Sequence, residues 1–195
     1  MPDTNDLHKM TPKELGELFP IIIQDYTEKW NELYQTEKEL IIDSFTKSEI
    51  LSIEHIGSTA IPGLKAKPTI DILMQVSERI YTKKLEDVFK HLGYQLIKQP
   101  ENPPPHMNFV KGYTNHGFKG QAYHVHIRYE GDWDEIRFRD YLLSNREIAK
   151  DYEALKLQLA DKHKIDREAY TDSKTDFIEK INKLTRKQNT NTHME

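Results

Sequence analysis

Residues 54–59, Glu-His-Ile-Gly-Ser-Thr, and residues 69–76, Thr-Ile-Asp-Ile-Leu-Met-Gln-Val, decide the fold of this chain. The first stretch ends a short apolar run at a Gly-Ser turn, and this pattern predicts a strand followed by a turn. The second is nearly continuous apolar sequence with one embedded acid, Asp71, which is typical of a central strand buried on both faces. We therefore expect a sheet with a carboxylate in its interior.

Helical patterns surround these two strands in the sequence. The spacing at 11–14, Thr-Pro-Lys-Glu, matches a capping box with proline at the first helical position. Apolar residues at helical spacing predict a long amphipathic helix over 27–45 that covers the sheet, and 79–91 predicts another helix. Beyond Trp133 the whole remaining pattern is helical.

Further strands are predicted in the middle of the chain. One begins at Gly93 and continues to about Lys98, and a loop with three prolines at 101–106 follows it. The segments 107–113 and 121–130 predict two strands around a polar, glycine-containing turn. The order α, β, β, α, β, β, β, α, α predicts an α/β (α+β) fold: a mixed sheet flanked by helices, with a helical C-terminal third.

Length and composition favour one globular domain. The chain has 195 residues, of which 36% are hydrophobic and 31% charged, so it supports a single core. We expect a flexible lead-in at 1–9, one domain over 10–186 and a frayed tail at 187–195.

The same composition bounds the compartment and the partners. No stretch approaches the roughly 20 apolar residues of a membrane span, and the N-terminus does not resemble a signal peptide. Without cysteine, disulfides and thiolate metal sites are excluded, so we expect a cytoplasmic protein. A net charge of −4 argues against a general nucleic-acid binder, and no membrane partner is expected.

The Gly-Ser turn and the embedded acid are the residues that suggest chemistry. Gly57, Ser58 and Thr59 offer backbone amides and hydroxyls that suit a phosphate group. Asp71 is costly to bury unless it meets a cation or hydrogen-bond donors. From these residues alone, a turn that needs glycine only for its shape is an open alternative.

A longer string of residues resembles a known family. Residues 53–64 and 66–72 resemble the signature of the GrpB family, and the likeness extends over about 26–180. The positions that carry it downstream and upstream are Tyr26, Trp30, His124-Val125-His126, 138–142, 154–156, Tyr170, Lys174 and Phe177. GrpB-like domains also resemble the extra domain fused to some bacterial dephospho-CoA kinases, which suggests nucleotide metabolism.

The resemblance implies a nucleotidyltransferase-like fold. In that superfamily a Gly-Ser turn holds nucleotide phosphates, and an Asp-hydrophobic-acid strand holds Mg²⁺ for in-line attack at the α-phosphorus. The implied catalytic residues are therefore Ser58 and Asp71. This sequence departs from the pattern at Leu73, where the second acid should stand, so Asp71 needs other ligands for a metal.

Two histidines are the candidates for those ligands. His124 and His126 stand two apart on a predicted strand, so both point to the same face. With Asp71 they would form a divalent metal site that favours Mn²⁺, Zn²⁺ or Fe²⁺ over Mg²⁺. The alternative is that both imidazoles are simply hydrogen-bonded. His55 either joins the site or stabilises the turn.

Basic residues would supply the rest of a phosphate site. Lys67 lies close to the turn in sequence, and Arg128 continues the face of the two histidines. Arg139 opens the next helix and suits bidentate phosphate binding, but beside Asp140 it is equally suited to tie that helix to the sheet.

Three functions follow from these residues. The first is a metal-assisted nucleotidyl or phosphoryl transferase. The second is a non-catalytic module that binds a nucleotide or phosphorylated small molecule, which the leucine at position 73 favours. The third is an interaction domain in which the pocket only stabilises the fold. The sequence assigns neither the nucleotide, the acceptor nor the oligomeric state.

Overall fold

The computed structural model describes residues 7, 9–97 and 105–192, with side chains up to residue 187. Most of the expected lead-in, 1–9, and of the proline-rich loop, 101–106, lies outside the described residues.

Five strands form one mixed sheet in the described part of the chain. The strands are β1 Ile50–Ile56, β2 Thr69–Val76, β3 Gln95–Ile97, β4 Met107–Thr114 and β5 Gly117–Tyr129. Their order across the sheet is β1-β2-β5-β4-β3; β2 and β5 run parallel, and the other neighbours are antiparallel. The predicted class, a mixed α/β fold with a helical C-terminal part, is confirmed.

The β4–β5 hairpin is longer than the sequence pattern suggests. Both strands extend into the segment expected to be a turn, and only residues 115 and 116 connect them. The strand register shifts between Lys111 and Tyr113, at Gly112, which has φ of +93°. A Cβ at Gly112 would lie 2.5 Å from the carbonyl oxygen of Gln121. The glycine therefore marks a bulge inside a strand rather than the end of one.

Seven α-helices complete the described chain. They are α1 Pro12–Leu18, α2 Lys29–Ile42, α3 Thr82–His91, α4 Asp134–Ser144, α5 Arg146–Lys162, α6 Arg167–Asp172 and α7 Thr175–Thr192. The capping box at α1 is present, since Thr11 and Glu14 exchange side-chain and backbone hydrogen bonds. The expected tail at 187–195 begins inside α7. None of the described helices has both the length and the apolar composition needed to cross a bilayer.

The two faces of the sheet have different partners. Alternate residues of β2, such as Ile70 and Ile72, point into a core that α2 and α3 cover. The opposite face of the same strand carries Asp71 and looks towards the C-terminal helices. There a second core joins residues after the Gly-Ser turn to α4, α5 and α7: Ile61, Leu64, Phe138, Leu142, Ala149, Tyr152 and Ile181. The space between this core and the sheet contains the candidate site.

Candidate functional site

The parallel strands β2 and β5 bring an acid and two histidines together. Asp71 pairs in register with His124, and Leu73 pairs with His126. Because side chains two apart share a face, all three polar groups point the same way. One ligand atom of each lies within 4.8 Å of the others. The three side chains therefore meet as a shared metal site requires.

The distance between two of the ligand atoms in this triad suits a divalent ion. The Nδ1 atom of His124 lies 3.1 Å from Oδ1 of Asp71. Two ligands about 2.0–2.1 Å from one metal and at right angles would lie roughly 3 Å apart. Three protein ligands also leave coordination positions open, as catalytic sites do. The triad can therefore hold a metal and still accept a ligand oxygen.

Strand β4 orients both imidazoles. The hydroxyl of Tyr113 lies 2.8 Å from Nε2 of His124, and Oδ1 of Asn108 lies 3.0 Å from Nδ1 of His126. Because Oδ1 of Asn108 only accepts hydrogen bonds, His126 donates through Nδ1 and presents Nε2 to the site. His124 directs Nδ1 at Asp71, where a metal would replace the proton of their hydrogen bond, and the tyrosine hydroxyl can serve either tautomer. Such outer partners orient the ligands of metal sites.

Removing either outer partner is expected to weaken metal binding by about 10–100-fold. Tyr113→Phe and Asn108→Ala keep Asp71 and the imidazoles but release one ring each, so the ligands lose their fixed orientation. Titration calorimetry with Mn²⁺ or Zn²⁺ measures the effect. Tyr81→Phe, at a tyrosine that is 81% exposed, is the control. Unchanged affinity in both variants would show that β4 does not position the ligands.

The protonation states of Asp71 and His126 also suit a metal. Burial opposes ionisation of Asp71, but the hydrogen bond from His124 and nearby positive groups outweigh it, so the pKa of Asp71 is lowered. Burial lowers the pKa of His126 to about 4. At neutral pH the first is thus a carboxylate and the second a neutral imidazole, the forms that bind metal.

The Gly-Ser turn passes directly against the acid. Gly57 has φ of +71° and ψ of −173°, a backbone conformation that residues other than glycine rarely adopt. A Cβ at this position would lie 2.6 Å from Oδ2 of Asp71. Glycine is therefore required both for the backbone shape and for the close approach to the carboxylate.

Gly57→Ala is expected to cost about 1–3 kcal/mol of stability and to weaken metal binding together. The strained backbone lowers the free energy of unfolding, and the new methyl displaces the carboxylate of Asp71. Gly63→Ala is a matched control, since Gly63 has φ of +78° with no atom within 4 Å of its Cβ position. Urea denaturation and metal titration test both. Equal metal affinity in the two variants would contradict the proposed contact.

His55 and the hydroxyl of Thr59 serve the turn itself. The Thr59 hydroxyl donates to the carbonyl of Thr69 at 3.0 Å and lies 3.1 Å from Nε2 of His55. His55 stacks on Tyr34 at 4.6 Å, and burial lowers its pKa to about 4. Two roles were expected for His55, and these contacts favour the second, in which His55 stabilises the turn.

Two cavities meet at the triad. The first, of about 390 Å³, we name the basic cavity after Lys67, Lys156, Arg167 and Lys174 in its wall. The second, of about 580 Å³, we name the mixed cavity, because aromatic, acidic and arginine side chains line it together. Both include Gly57, Ser58, Asp71, His126 and Tyr152. The turn and two members of the triad, Asp71 and His126, therefore form the wall that the two cavities share.

Three of the basic residues were not predicted to bind phosphate. Lys156 lies on α5, Arg167 on α6 and Lys174 between α6 and α7, so all three are remote from the turn in sequence. Lys156 follows Tyr152 by one helical turn on the apolar face of α5 and is only 2% exposed. A lysine on the apolar face of a predicted helix was the sequence signal that could have identified Lys156. Both Lys156 and Lys174 are positions of the family resemblance, and Arg167 gave no signal.

Burial makes it energetically unfavourable for the lysines of the basic cavity to carry a charge. Burial lowers the pKa of Lys67 to about 7, and Lys174 and Arg167 add to this effect. Burial also lowers the pKa of Lys156 to about 7. The pKa of Lys174 is lowered by burial too, against an opposing effect of Asp71. A bound anion would offset these costs.

The stability of the ligand-free protein is expected to rise with pH above about 7. The pKa of Lys67 is about 7 in the folded chain, below the ordinary value of 10.5, so the unfolded chain holds more protons between the two values. Stability then increases with pH across that window. Lys67→Met should flatten the rise and exposed Lys150→Met should not. A fall in urea midpoint from pH 7 to 9 would contradict this.

The two predicted arginines occupy different places. Arg128 lines the mixed cavity, where it lies over Trp133 at 5.6 Å and pairs with Glu135 at 3.2 Å. Arg139 lines neither cavity. It donates to the Glu54 carboxylate and to the carbonyl of His55, each at 2.8 Å. Arg139 thus ties α4 to β1. These contacts do not support the prediction that Arg139 binds phosphate.

The fold and the site define a mixed α/β protein with a candidate metal site between two polar cavities. The family model described as GrpB protein matches residues 20–184. The chain belongs to the GrpB family.

Several relatives agree with this assignment. The glutamate-rich protein GrpB of Alkalihalophilus pseudofirmus is 33% identical over 165 residues, covering 83% of this chain and 93% of that protein. The UPF0157 protein YqkA of Bacillus subtilis is 35% identical over 158 residues, 78% of this chain but only 43% of that longer protein. The crystal structure of the conserved protein GrpB from Enterococcus faecalis has 32% identity and a TM-score of 0.73, covering 86% of this chain and 98% of that one.

Proposed function

We propose that this chain is a metal-dependent transferase that moves a nucleotidyl or phosphoryl group from a nucleotide or related phosphate ester. The observation that carries the proposal is the position of the Asp71–His124–His126 triad, at the border between the basic cavity and a second, larger cavity. A phosphorus atom at this border would meet a metal on one side and several cations on another. Metal and cations together offset charge that develops during phosphoryl transfer.

Each residue has a defined part in this proposal. Asp71, His124 and His126 hold the divalent metal, which polarises a phosphoryl oxygen when bound. The turn at 57–59, including the Ser58 hydroxyl, and Lys67 hold the phosphate. Arg128 contributes a positive charge from the wall of the mixed cavity, beside the part of the ligand that is not the phosphate. The acceptor is left open.

The metal ligands distinguish this site from a two-metal transferase site. Leu73, at the position where a second acid would stand, is fully buried and lies beside His126 in the sheet register. An imidazole therefore stands next to the place of the missing carboxylate. One acid and two imidazoles suit a single Mn²⁺ or Zn²⁺ better than a pair of Mg²⁺ ions. We infer a one-metal site.

The single carboxylate also favours a second candidate function. A module that only binds a nucleotide or phosphorylated metabolite needs charge complementarity but no second metal. The same cavities would serve it, and the metal would then contribute affinity alone. The two candidates differ in turnover, not in the place where the ligand binds.

A thermal-shift and turnover experiment tests the proposal. Nucleoside triphosphates are added with Mn²⁺, Zn²⁺ or Mg²⁺ to the wild type, to Asp71→Asn and to Asp151→Asn, an exposed acid of α5. A ligand at 100-fold its dissociation constant stabilises by about 2.7 kcal/mol. We expect a metal-dependent shift that only Asp71→Asn loses, followed by slow turnover with water as the acceptor: nucleotidyl transfer gives the nucleoside monophosphate and pyrophosphate, and phosphoryl transfer gives the nucleoside diphosphate and phosphate. A shift without any turnover would support the binding module, and no shift with any pair would overturn both.

A further inference from the structure

We infer that the basic cavity receives a chain of two or three linked phosphates, while the organic part of the same ligand enters the mixed cavity. This inference rests on the proposed function and narrows its ligand to a polyphosphate. It concerns Lys156, Arg167 and Lys174, which come from the C-terminal helices and the segment between them.

The charge that the basic cavity can carry with an anion bound exceeds what one phosphate offsets. A bound anion favours the protonated form of each lysine, so up to four cationic side chains then face a single carboxylate, Asp71, which also serves the metal. Among the described residues, none of the four forms an ion pair with an acid. A phosphate monoester carries about two negative charges at neutral pH. A diphosphate or triphosphate group matches the remaining charge better.

Aromatic rings hold the cations in place and leave their donors for a ligand. Lys67 and Lys174 lie over the ring of Tyr170, at 5.3 Å and 4.4 Å from its centroid. Tyr170 is itself only 1% exposed, so this platform is fixed. Lys156 lies 5.0 Å from the ring of Tyr152 and donates one hydrogen bond to the carbonyl of Lys65 at 2.5 Å, which leaves two of its three N–H groups for a ligand. Cation–π contacts use the face of a ring and do not consume all N–H donors of an ammonium group.

The guanidinium of Arg167 is fixed in a similar way. Its Nη1 atom donates to the carbonyl of Phe19 at 2.8 Å, and the group lies 5.8 Å from the ring of Tyr113. The remaining donors of a guanidinium form a fork that suits two oxygens of one phosphate. Arg167 is therefore an anion-binding group that is held in position in the wall of the basic cavity.

The shape of the space fits an extended ligand rather than a single ion. The basic cavity of about 390 Å³ and the mixed cavity of about 580 Å³ share the turn, Asp71 and His126 in their walls. Trp133 and Phe138 provide apolar surface in the mixed cavity. A phosphate chain in the first and an organic group in the second would place their junction beside Asp71.

Metal-free titration calorimetry tests this inference with three probes: inorganic phosphate, pyrophosphate and tripolyphosphate, all in EDTA. The wild type should bind pyrophosphate and tripolyphosphate at least about 10-fold more tightly than phosphate, since each added charge-assisted hydrogen bond is worth about this factor or more. Lys174→Met should weaken tripolyphosphate binding by about 10-fold, and Lys174→Arg should restore it. Lys150→Met, an exposed lysine of α5, should have no effect.

The outcomes separate this inference from the proposed function. Asp71→Asn removes a metal ligand and a negative charge, so metal-free tripolyphosphate should bind it at least as tightly as the wild type. Polyphosphate binding that persists in this variant supports the inference even where transfer is absent. Equal affinity for the three probes, or an unchanged affinity in Lys174→Met with its fold verified by circular dichroism, would overturn it.

Discussion

Asp71→Asn is expected to weaken the binding of Mn²⁺ or Zn²⁺ by about 1000-fold, which corresponds to roughly 4 kcal/mol. Asp71 is the only carboxylate of the triad, so its loss removes both one ligand atom and the negative charge that attracts the ion. Loss of an outer partner alone costs about 10–100-fold, and the loss of a direct ligand should exceed that. Titration calorimetry at neutral pH measures the change.

Asparagine keeps the shape of the side chain, so the fold should survive. The amide still faces His124, which lies 3.1 Å from Oδ1 in the wild type. Asp151→Asn changes the net charge equally but lies on the exposed surface of α5, and it should bind metal as the wild type does. If Asp71→Asn binds metal as tightly as the wild type does, Asp71 is not a metal ligand.

Glu37→Ala is expected to lower the free energy of unfolding by about 3–5 kcal/mol. Glu37 is 3% exposed, accepts a hydrogen bond from Tyr94 at 2.9 Å and forms an ion pair with Lys111. Lys111 also lies over the rings of Tyr94 and Tyr123, at 4.8 Å and 5.0 Å. Without the carboxylate, the partly buried ammonium group has lost its counter-charge, and the tyrosine hydroxyl has lost its acceptor.

Urea denaturation measures this loss, and two further variants define its cause. Glu39→Ala, two positions along α2 and exposed, should change stability by less than about 0.5 kcal/mol. The double variant Glu37→Met/Lys111→Met removes both charges and should recover much of the lost stability, because a packed apolar pair often replaces a buried ion pair without loss. A change below 1 kcal/mol in Glu37→Ala would contradict the importance of this buried pair.

The triad could be predicted from sequence because strand periodicity carries the information. Residues two apart share a face of a strand, so His124 and His126 had to point together. The remaining requirement was that β2 and β5 be neighbours, and the parallel register pairs Asp71 directly with His124. Local rules thus specified the side-chain directions, and only the strand order was new in the structure.

The basic cavity could not be predicted in the same way. Its cations come from the segment after the Gly-Ser turn, from α5, from α6 and from the segment before α7. How helices pack across a sheet depends on side-chain packing over the whole interface, and no spacing in the sequence records it. The hairpin differed for a local reason, since a glycine in a bulge and a glycine in a turn look alike in sequence.

Anomalous diffraction from crystals soaked in MnCl₂ locates any metal bound by the triad. We expect one strong anomalous peak between Asp71, His124 and His126, at distances of about 2.0–2.3 Å from Nδ1 of His124 and Nε2 of His126. The peak should disappear in Asp71→Asn crystals soaked in the same way. A wild-type crystal with no peak at the triad, or with its manganese bound elsewhere, would rule out a metal site formed by these three residues.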